Sequence, residues 1–130
     1  MIGQFDRFCL RVLGCDGAVR SVRVADSVGR LVGSAYRAGL AHMKDDEEER
    51  YSLQSVLRAA LRENFSSTNG RLRYSVSVYE RLLRATVPLA AANEKLYLLL
   101  SLDSEADISV IMREKVIPVV ESAVVSNKIN

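Results

Sequence analysis

The chain has 130 residues, of which 48% are hydrophobic and 26% charged, and these proportions are ordinary for a single globular domain of that length. Its 18 basic and 16 acidic residues leave a net charge of +2, which excludes a strong general attraction to nucleic acid or to an anionic membrane. There is no secretory signal and no apolar run of the ~18 residues that a membrane span needs, so we expect a cytoplasmic protein without membrane insertion.

The first predicted element is a helix over residues 4–13, because its apolar residues recur at the spacing of one helix face. Gly14 follows, where a helix end favours a residue that is free to adopt a positive φ. Cys9 lies in this helix and Cys15 just beyond it. Both are interpreted as free thiols in a reducing compartment, with a regulatory bridge as the weaker alternative. The apolar stripe consists of Phe5, Phe8, Cys9, Val12 and Leu13.

A β-hairpin is predicted next, over residues 19–26 and 30–35. Within residues 21–25, two valines alternate with other side chains, and this period of two is typical of a strand. Residues 26–29 favour a tight turn, because Asp26 can accept hydrogen bonds from downstream amides and Gly29 supplies a positive φ. Gly33 in the second strand predicts a bulge or a close approach of another part of the chain.

An acidic run over residues 45–49 opens the second predicted helix. Asp45 or Asp46 is expected to cap this helix, with Glu48 or Glu49 at its third position, and a metal site is the weaker alternative. The helix continues to near Phe65 and is amphipathic. Its apolar face comprises Leu53, Val56, Leu57, Ala60 and Leu61, and its opposite face comprises Arg50, Gln54, Arg58 and Arg62.

Three strands and a final helix complete the chain. Alternating apolar residues predict strands over residues 71–79 and 81–89, joined by a very tight turn. Residues 96–102 are almost all apolar, which is typical of a central strand covered on both faces. The last helix starts near Asp103 or Ser104, is expected to kink or break near Ile117 because of Pro118, and is expected to fray after about residue 125.

The predicted order α-β-β-α-β-β-β-α describes an α/β (α+β) fold in a single domain, residues 1–130, with a five-stranded, mostly antiparallel sheet and helices on both faces. This order resembles the roadblock/longin-like superfamily, with its profilin-like sheet, and is most similar to uncharacterised archaeal roadblock-type proteins. The resemblance rests on the hairpin over residues 22–32, on the connector over residues 36–40, and on the strand and helix over residues 95–102 and 107–120.

The resemblance implies a homodimer, or a dimer with a related roadblock-like subunit. In that family the third strands of two subunits pair into one sheet and the second helices pack side by side. Members act as scaffolds, as subunits of motor or membrane-anchored complexes, and as regulators of small GTPases. Arg71 and Arg73 either contact the second subunit or guard the free edge of the strand. The predicted dimer interface comprises Leu72, Tyr74, Val76, Val78, Arg71, Arg73, Arg58 and Arg62.

No catalytic, cofactor or metal site is predicted, and we do not expect an enzyme. His42 is the sole histidine, which excludes a two-histidine metal site, and no spacing brings it to a cysteine. The sequence holds no glycine-rich phosphate motif. Glu47, Glu48 and Glu49 occupy consecutive helix positions and therefore point in different directions, so they do not form a paired acid and base.

Arginine and tyrosine residues provide the candidate binding surface. Arginine makes bidentate contacts to carboxylates and phosphates, and tyrosine is favoured at interfaces. A solvated surface with edge protection is the favoured interpretation of the arginines, and a surface for an acidic partner is the alternative. The predicted partner surface comprises Arg50, Arg81 and Arg84, and the tyrosines that are candidates for an interface are Tyr51, Tyr74 and Tyr79.

Three functional hypotheses follow. The leading one is a dimeric protein-interaction or scaffold module, which regulates a small GTPase or belongs to a membrane-associated complex. The second is a sensory domain for a small ligand, which requires a hollow, partly polar pocket under the first or the last helix. The third is a nucleic-acid or ribosome-associated protein that uses the arginines, and it is the least favoured of the three.

Overall fold

The computed structural model describes residues 3–91 and 94–125 of the chain. The predicted fraying after about residue 125 falls on residues outside those described. The elements in chain order are α1 (Asp6–Leu13), β1 (Val19–Asp26), β2 (Leu31–Tyr36), α2 (Asp45–Glu63), α3 (Ser66–Asn69), β3 (Ser75–Val78), β4 (Leu82–Ala91), β5 (Glu94–Asp103), α4 (Ile108–Ile111), a π-helical segment (Met112–Val116) and α5 (Ile117–Val125).

The strands form one sheet in the order β2-β1-β5-β4-β3, and the neighbouring strands pair antiparallel. β5 lies at the centre and its residues 96–102 are buried, so the prediction of a central strand covered on both faces is confirmed. The predicted mixed fold with a five-stranded sheet is also confirmed. β2 and β3 are the two edge strands.

Helices cover both faces of the sheet, as predicted. On one face, α1, the π-helical segment and α5 enclose the larger core with inward side chains of β1, β4 and β5. On the other face, Val56 and Ala59 of α2 pack with Ala25, Tyr97 and Leu99 in a smaller core. β1 is therefore buried on both faces, and the alternation in its sequence does not separate an exposed face from a buried one.

The β1–β2 turn has the predicted chemistry. Asp26 Oδ1 accepts hydrogen bonds from the amides of Val28 and Arg30 at 3.0 and 2.9 Å, and Gly29 adopts a φ of 83°. Both alternatives for Gly33 are present, because the β1–β2 register shifts directly after the Val24–Gly33 pair. A Cβ atom on Gly33 would also lie 2.7 Å from the Cβ of Phe5. The hairpin prediction is confirmed.

The start of α2 differs from the prediction. Lys44 occupies the N-cap position and no side chain caps the helix, so the capping roles given to Asp45 or Asp46 are wrong. Glu48 does not serve the helix terminus either. It is buried against the sheet, where it forms an ion pair with Arg23 of β1.

The orientation of α2 also differs from the prediction. Of the predicted apolar face, Val56 is buried, whereas Leu53, Leu57 and Leu61 are exposed to solvent. The physical reason is that β5 already presents the large side chains Tyr97 and Leu99 on this face, so the helix approaches with small ones. The buried residues of α2 are Glu48, Ser52, Ser55, Val56 and Ala59.

Two further elements differ in length or form. β3 is confined to Ser75–Val78, and residues 71–74 lie outside the strand. The last pair of the β3–β4 ladder is Ser75–Thr86, two residues before Pro88, which has no backbone N–H to donate. The last helix has no break near Pro118, because residues 108–125 are helical without interruption. The distortion there is the π-helical segment that ends at Val116, directly before α5, since Pro118 cannot bond to the carbonyl one turn earlier.

Candidate interaction surface

The outer face of α2 carries a row of large apolar side chains. Leu53, Leu57 and Leu61 are 42%, 52% and 65% exposed, and Phe65, just beyond the helix, is 63% exposed. A spacing of four residues places them in one continuous ridge along the helix. A contiguous row of this kind on a small domain is typical of an interaction site. We call these four residues the α2 ridge.

β3 provides a second candidate contact surface, at the edge of the sheet. Val76 and Val78 are opposite Ala85 and Leu83 in the β3–β4 ladder, which places both valines on the face covered by α1 and α5. Val78 is nevertheless 76% exposed. On its other side, β3 has no neighbouring strand among the described residues, so its outward backbone groups are free to pair.

A buried ion pair lies beneath α2. Arg23 of β1 and Glu48 of α2 are 2% and 6% exposed, and Arg23 Nη1 is 3.1 Å from Glu48 Oε1. The Tyr36 hydroxyl donates a hydrogen bond to the same carboxylate. Burial, followed by this bond to Glu48, raises the pKa of Tyr36 well above its ordinary value. The Nε and Nη2 atoms of Arg23 have no hydrogen-bond partner among the described residues.

Three arginines surround the ring of Tyr51 on the flank of α2 that faces β4. The guanidinium carbon of Arg84 is 4.1 Å from the ring centroid, and those of Arg23 and Arg58 are each 5.8 Å from it, within the range of cation–π interaction. Burial is the main cause of the raised pKa of Tyr51 and of the lowered pKa of Arg84. This group is a concentration of positive charge that is partly withdrawn from water.

The predicted dimer residues occupy three separate places. Val76 and Val78 lie on the edge strand, while Arg58 and Arg62 lie on α2, over the opposite face of the sheet. The residues that precede β3 serve other contacts: Arg73 is 3.5 Å from Glu121 of α5, Tyr74 packs against the larger core, and Arg71 and Leu72 line a cleft beside α5.

The predicted partner arginines also have different surroundings. Arg50 and Arg81 are exposed, whereas Arg84 is half-buried beside Tyr51. Sequence reasoning did not find the Arg23–Glu48 pair. One signal was available: Arg23 interrupts the otherwise apolar residues 22–25, and a buried arginine needs a carboxylate partner from elsewhere in the chain. Glu48 was not considered for that role because it had been assigned to the start of the helix.

The side chains considered for chemistry are His42, Cys9 and Cys15. His42 is exposed, with Nε2 3.2 Å from the carbonyl oxygen of Arg37. Cys9 and Cys15 are free, and burial, with a smaller contribution from the carboxylate of Asp6, raises the pKa of the Cys9 thiol to about 12. Within residues 3–91 and 94–125, no three histidine, cysteine or acidic side chains are grouped as a metal site would require.

A cleft of about 260 Å³ lies between α5, the end of β4 and the residues before β3. Its walls are mostly apolar, with charged side chains at the rim. Over the described part of the chain, no helix has the length and apolar character needed to cross a membrane. The cleft is lined by Arg71, Leu72, Arg73, Val87, Pro88, Leu89, Ala90, Ile117, Val120 and Glu121.

Solved roadblock structures share this fold. The Roadblock/LC7 domain from Streptomyces avermitilis has a TM-score of 0.68 at 15% identity, over 91% of this chain and 92% of that one. The gliding protein MglB from Thermus thermophilus has a TM-score of 0.64 at 17% identity, over 90% and 88%. A structure of MglB with a tetrameric arrangement has a TM-score of 0.65 at 18% identity, over 90% and 88%. No protein-family model and no curated protein matches the sequence.

Proposed function

We propose that the chain is a dimeric protein-interaction module, in which a second copy covers the α2 ridge and pairs with the free edge of β3. The observation that carries the proposal is the ridge itself, Leu53, Leu57, Leu61 and Phe65. The side chains of α2 that face its own sheet are small or polar, so the helix holds its large apolar residues for a contact outside the subunit.

The charges along α2 favour a second copy as the occupant. A two-fold axis perpendicular to two neighbouring α2 helices makes them antiparallel, and this arrangement brings the acidic first turn of one helix toward the basic end of the other. Asp45, Asp46 and Glu47 are exposed in the first turn, and Arg62 is exposed in the last. Opposite charges at both ends of the contact set its direction and favour association.

The solved structures with this fold support association in general terms. One MglB structure is described as tetrameric, and the family that the sequence resembles builds dimers from the corresponding helix and strand. Pairing of β3 with a second β3 would also remove an exposed edge that otherwise promotes aggregation. Separate substitutions test the helix contact and the strand contact.

The helix contact is tested by Leu61→Glu. Each leucine buried in a dimer contributes about 1.5 kcal/mol or more, and two-fold symmetry introduces the change twice, so the dimer should weaken by roughly a hundredfold or more. Sedimentation or light scattering should show a dimer for the unmodified chain and a monomer for the variant. Leu10→Glu is the matched control, because Leu10 is 59% exposed on α1, on the other side of the sheet.

Two results would overturn the helix contact. One is that the unmodified chain is a monomer at tens of micromolar. The other is that Leu61→Glu and Leu10→Glu have the same oligomeric state. Circular dichroism of both variants establishes that each has kept its fold before the masses are compared.

The dimer is further proposed to act in the pathway of a small GTPase or in a membrane-associated complex, without a catalytic step of its own. This part rests on the resemblance to roadblock proteins, whose members include such regulators. Affinity purification from source cells should yield a guanine nucleotide-binding protein, identified by bound GDP or GTP after denaturation. If Leu10→Glu retains this protein and Leu61→Glu loses it, the partner requires the dimer; a guanine nucleotide-free eluate contradicts this part.

A second candidate function is the binding of a small ligand, and the cleft beside α5 is the observation that favours it. Apolar walls with Arg71 at the rim suit a molecule with an apolar body and an anionic group. The cleft lies under the last helix, where the sequence hypothesis placed a sensory pocket. Substituting Val120→Trp would fill it, and a ligand-dependent rise in melting temperature should then disappear.

A further inference from the structure

A small cleft on the β4 side of α2 is separate from the α2 ridge and has a different lining. Its lining residues come from three parts of the chain: Tyr51 from α2, Tyr79 from the end of β3, and Leu82 and Arg84 from β4. The cleft has a volume of about 280 Å³ and is open to solvent. Arg84 is opposite Ser77 of β3 in the ladder, and its side chain is half-buried. We call this the Arg84 cleft.

Arg84 lacks the partner that a half-buried arginine normally has. No carboxylate oxygen within the described parts of the chain lies within 4 Å of its nitrogens, and its Nη2 is 3.7 Å from the sulfur of Met43. Its flat face lies against Tyr51, with 4.1 Å from the guanidinium carbon to the ring centroid. Stacking occupies that face and Nη2 donates one hydrogen bond to the Met43 sulfur, which leaves the other N–H groups at the guanidinium edge available for a ligand.

The charges around Tyr51 do not balance. Arg23, Arg58 and Arg84 approach the ring, while Glu48 is the carboxylate paired with Arg23. Arg23 is 2% exposed and still has two nitrogens without a hydrogen-bond partner among the described residues. Withdrawing arginines from water is costly unless opposite charge compensates them. Burial is the main cause of the lowered pKa of Arg84; Arg23 acts in the same direction, whereas Glu48 opposes it. Three arginines around the ring therefore share the single carboxylate of Glu48.

We propose that the Arg84 cleft binds the carboxylate of an aspartate or glutamate side chain on a partner protein. The guanidinium edge of Arg84 would hold the two carboxylate oxygens, and the methylene groups of the ligand would pack between Tyr51 and Tyr79. A carboxylate suits the site better than a phosphate, because phosphate sites generally assemble several donors or backbone N–H groups. The cleft offers one planar guanidinium between aromatic and aliphatic walls.

The test uses a capped tetraglutamate peptide and the 15N-labelled full chain. The Nε–H resonance of Arg84 should shift on titration and saturate, whereas a tetraglutamine peptide should leave it in place. Charge-assisted hydrogen bonds are among the strongest in proteins, so Arg84→Gln should weaken binding of the peptide by about tenfold or more. Arg81→Gln is the matched control: Arg81 is an exposed arginine three residues earlier.

Arg84→Lys separates a shaped site from a simple attraction of charge. Lysine keeps the positive charge but loses the planar pair of donors, so binding should weaken several-fold. The Lys variant also serves if Arg84→Gln does not fold. Equal weakening by Arg81→Gln and Arg84→Gln, or no weakening by Arg84→Lys, would overturn the proposal. Saturation of the Arg84 resonance by inorganic phosphate at lower concentration than by the peptide would overturn the choice of a carboxylate.

Discussion

At the scale of single residues, the Arg23–Glu48 pair has the largest expected effect on stability. Both side chains are almost fully buried, so neutralising one leaves the other charge without water and without its counter-ion. Glu48→Gln should therefore lower the free energy of unfolding by about 3–5 kcal/mol, measured by urea denaturation at one fixed protein concentration. Glu47→Gln, one residue earlier and exposed, should change it by about 0.5 kcal/mol or less.

The double variant Arg23→Met with Glu48→Leu distinguishes an unpaired charge from lost packing. Replacing a buried ion pair by apolar side chains of similar size is often neutral or stabilising, so the double variant should recover most of the stability lost in Glu48→Gln. If Glu48→Gln and Glu47→Gln have the same stability, the carboxylate of Glu48 is not a desolvated partner of Arg23.

At the scale of elements, the contact between the β1–β2 turn and α2 depends on one glycine. Gly29 and Gly39 both have positive φ, of 83° and 81°, and alanine in that conformation costs about 1–2 kcal/mol. A Cβ atom on Gly29 would lie 2.6 Å from the Cα of Leu53, whereas one on Gly39 meets nothing within 4 Å. Gly29→Ala should therefore lower the free energy of unfolding, measured by urea denaturation, by about 1–3 kcal/mol more than Gly39→Ala does. Equal costs would show that α2 moves freely away from the turn.

Elements whose chemistry is local were predictable from the sequence. The β1–β2 turn follows from Asp26 and Gly29, which act within a few residues of each other. The distortion of the last helix before Pro118 follows from a missing N–H group. β5 was identifiable as the central strand because the sheet buries it on both faces, so that its side chains are apolar in succession.

The orientation of α2 was not predictable in the same way. A helical period of apolar residues indicates that one face avoids water, but it does not indicate whether that face meets its own sheet or another chain. Here Leu57 and Leu61 point outward, while Ser52 and Ser55 face the sheet. The size of the inward residues is set by Tyr97 of β5, which is distant in the sequence, and single-chain periodicity carries no information about that contact.

At the scale of the whole molecule, the two parts of the proposed dimer interface lie on opposite faces of the sheet. The α2 ridge lies over one face, while Val76 and Val78 of β3 share the other face with the larger core. If β3 pairs antiparallel with a second β3, the two-fold axis is perpendicular to the sheet, and both α2 helices lie over the same face of the continued sheet. The ridge and the strand edge would then belong to one continuous interface, and weakening either contact should dissociate the dimer.

Val76→Asp tests this continuity from the strand side. A charge beside the paired edge disfavours a second strand there, so the variant should be monomeric like Leu61→Glu. Mass action makes the melting temperature of a dimer rise with protein concentration. That dependence should be present in the unmodified chain and in Leu10→Asp, and absent in Val76→Asp. If Val76→Asp keeps the dependence while Leu61→Glu loses it, the subunits associate through α2 alone and the sheet ends at β3.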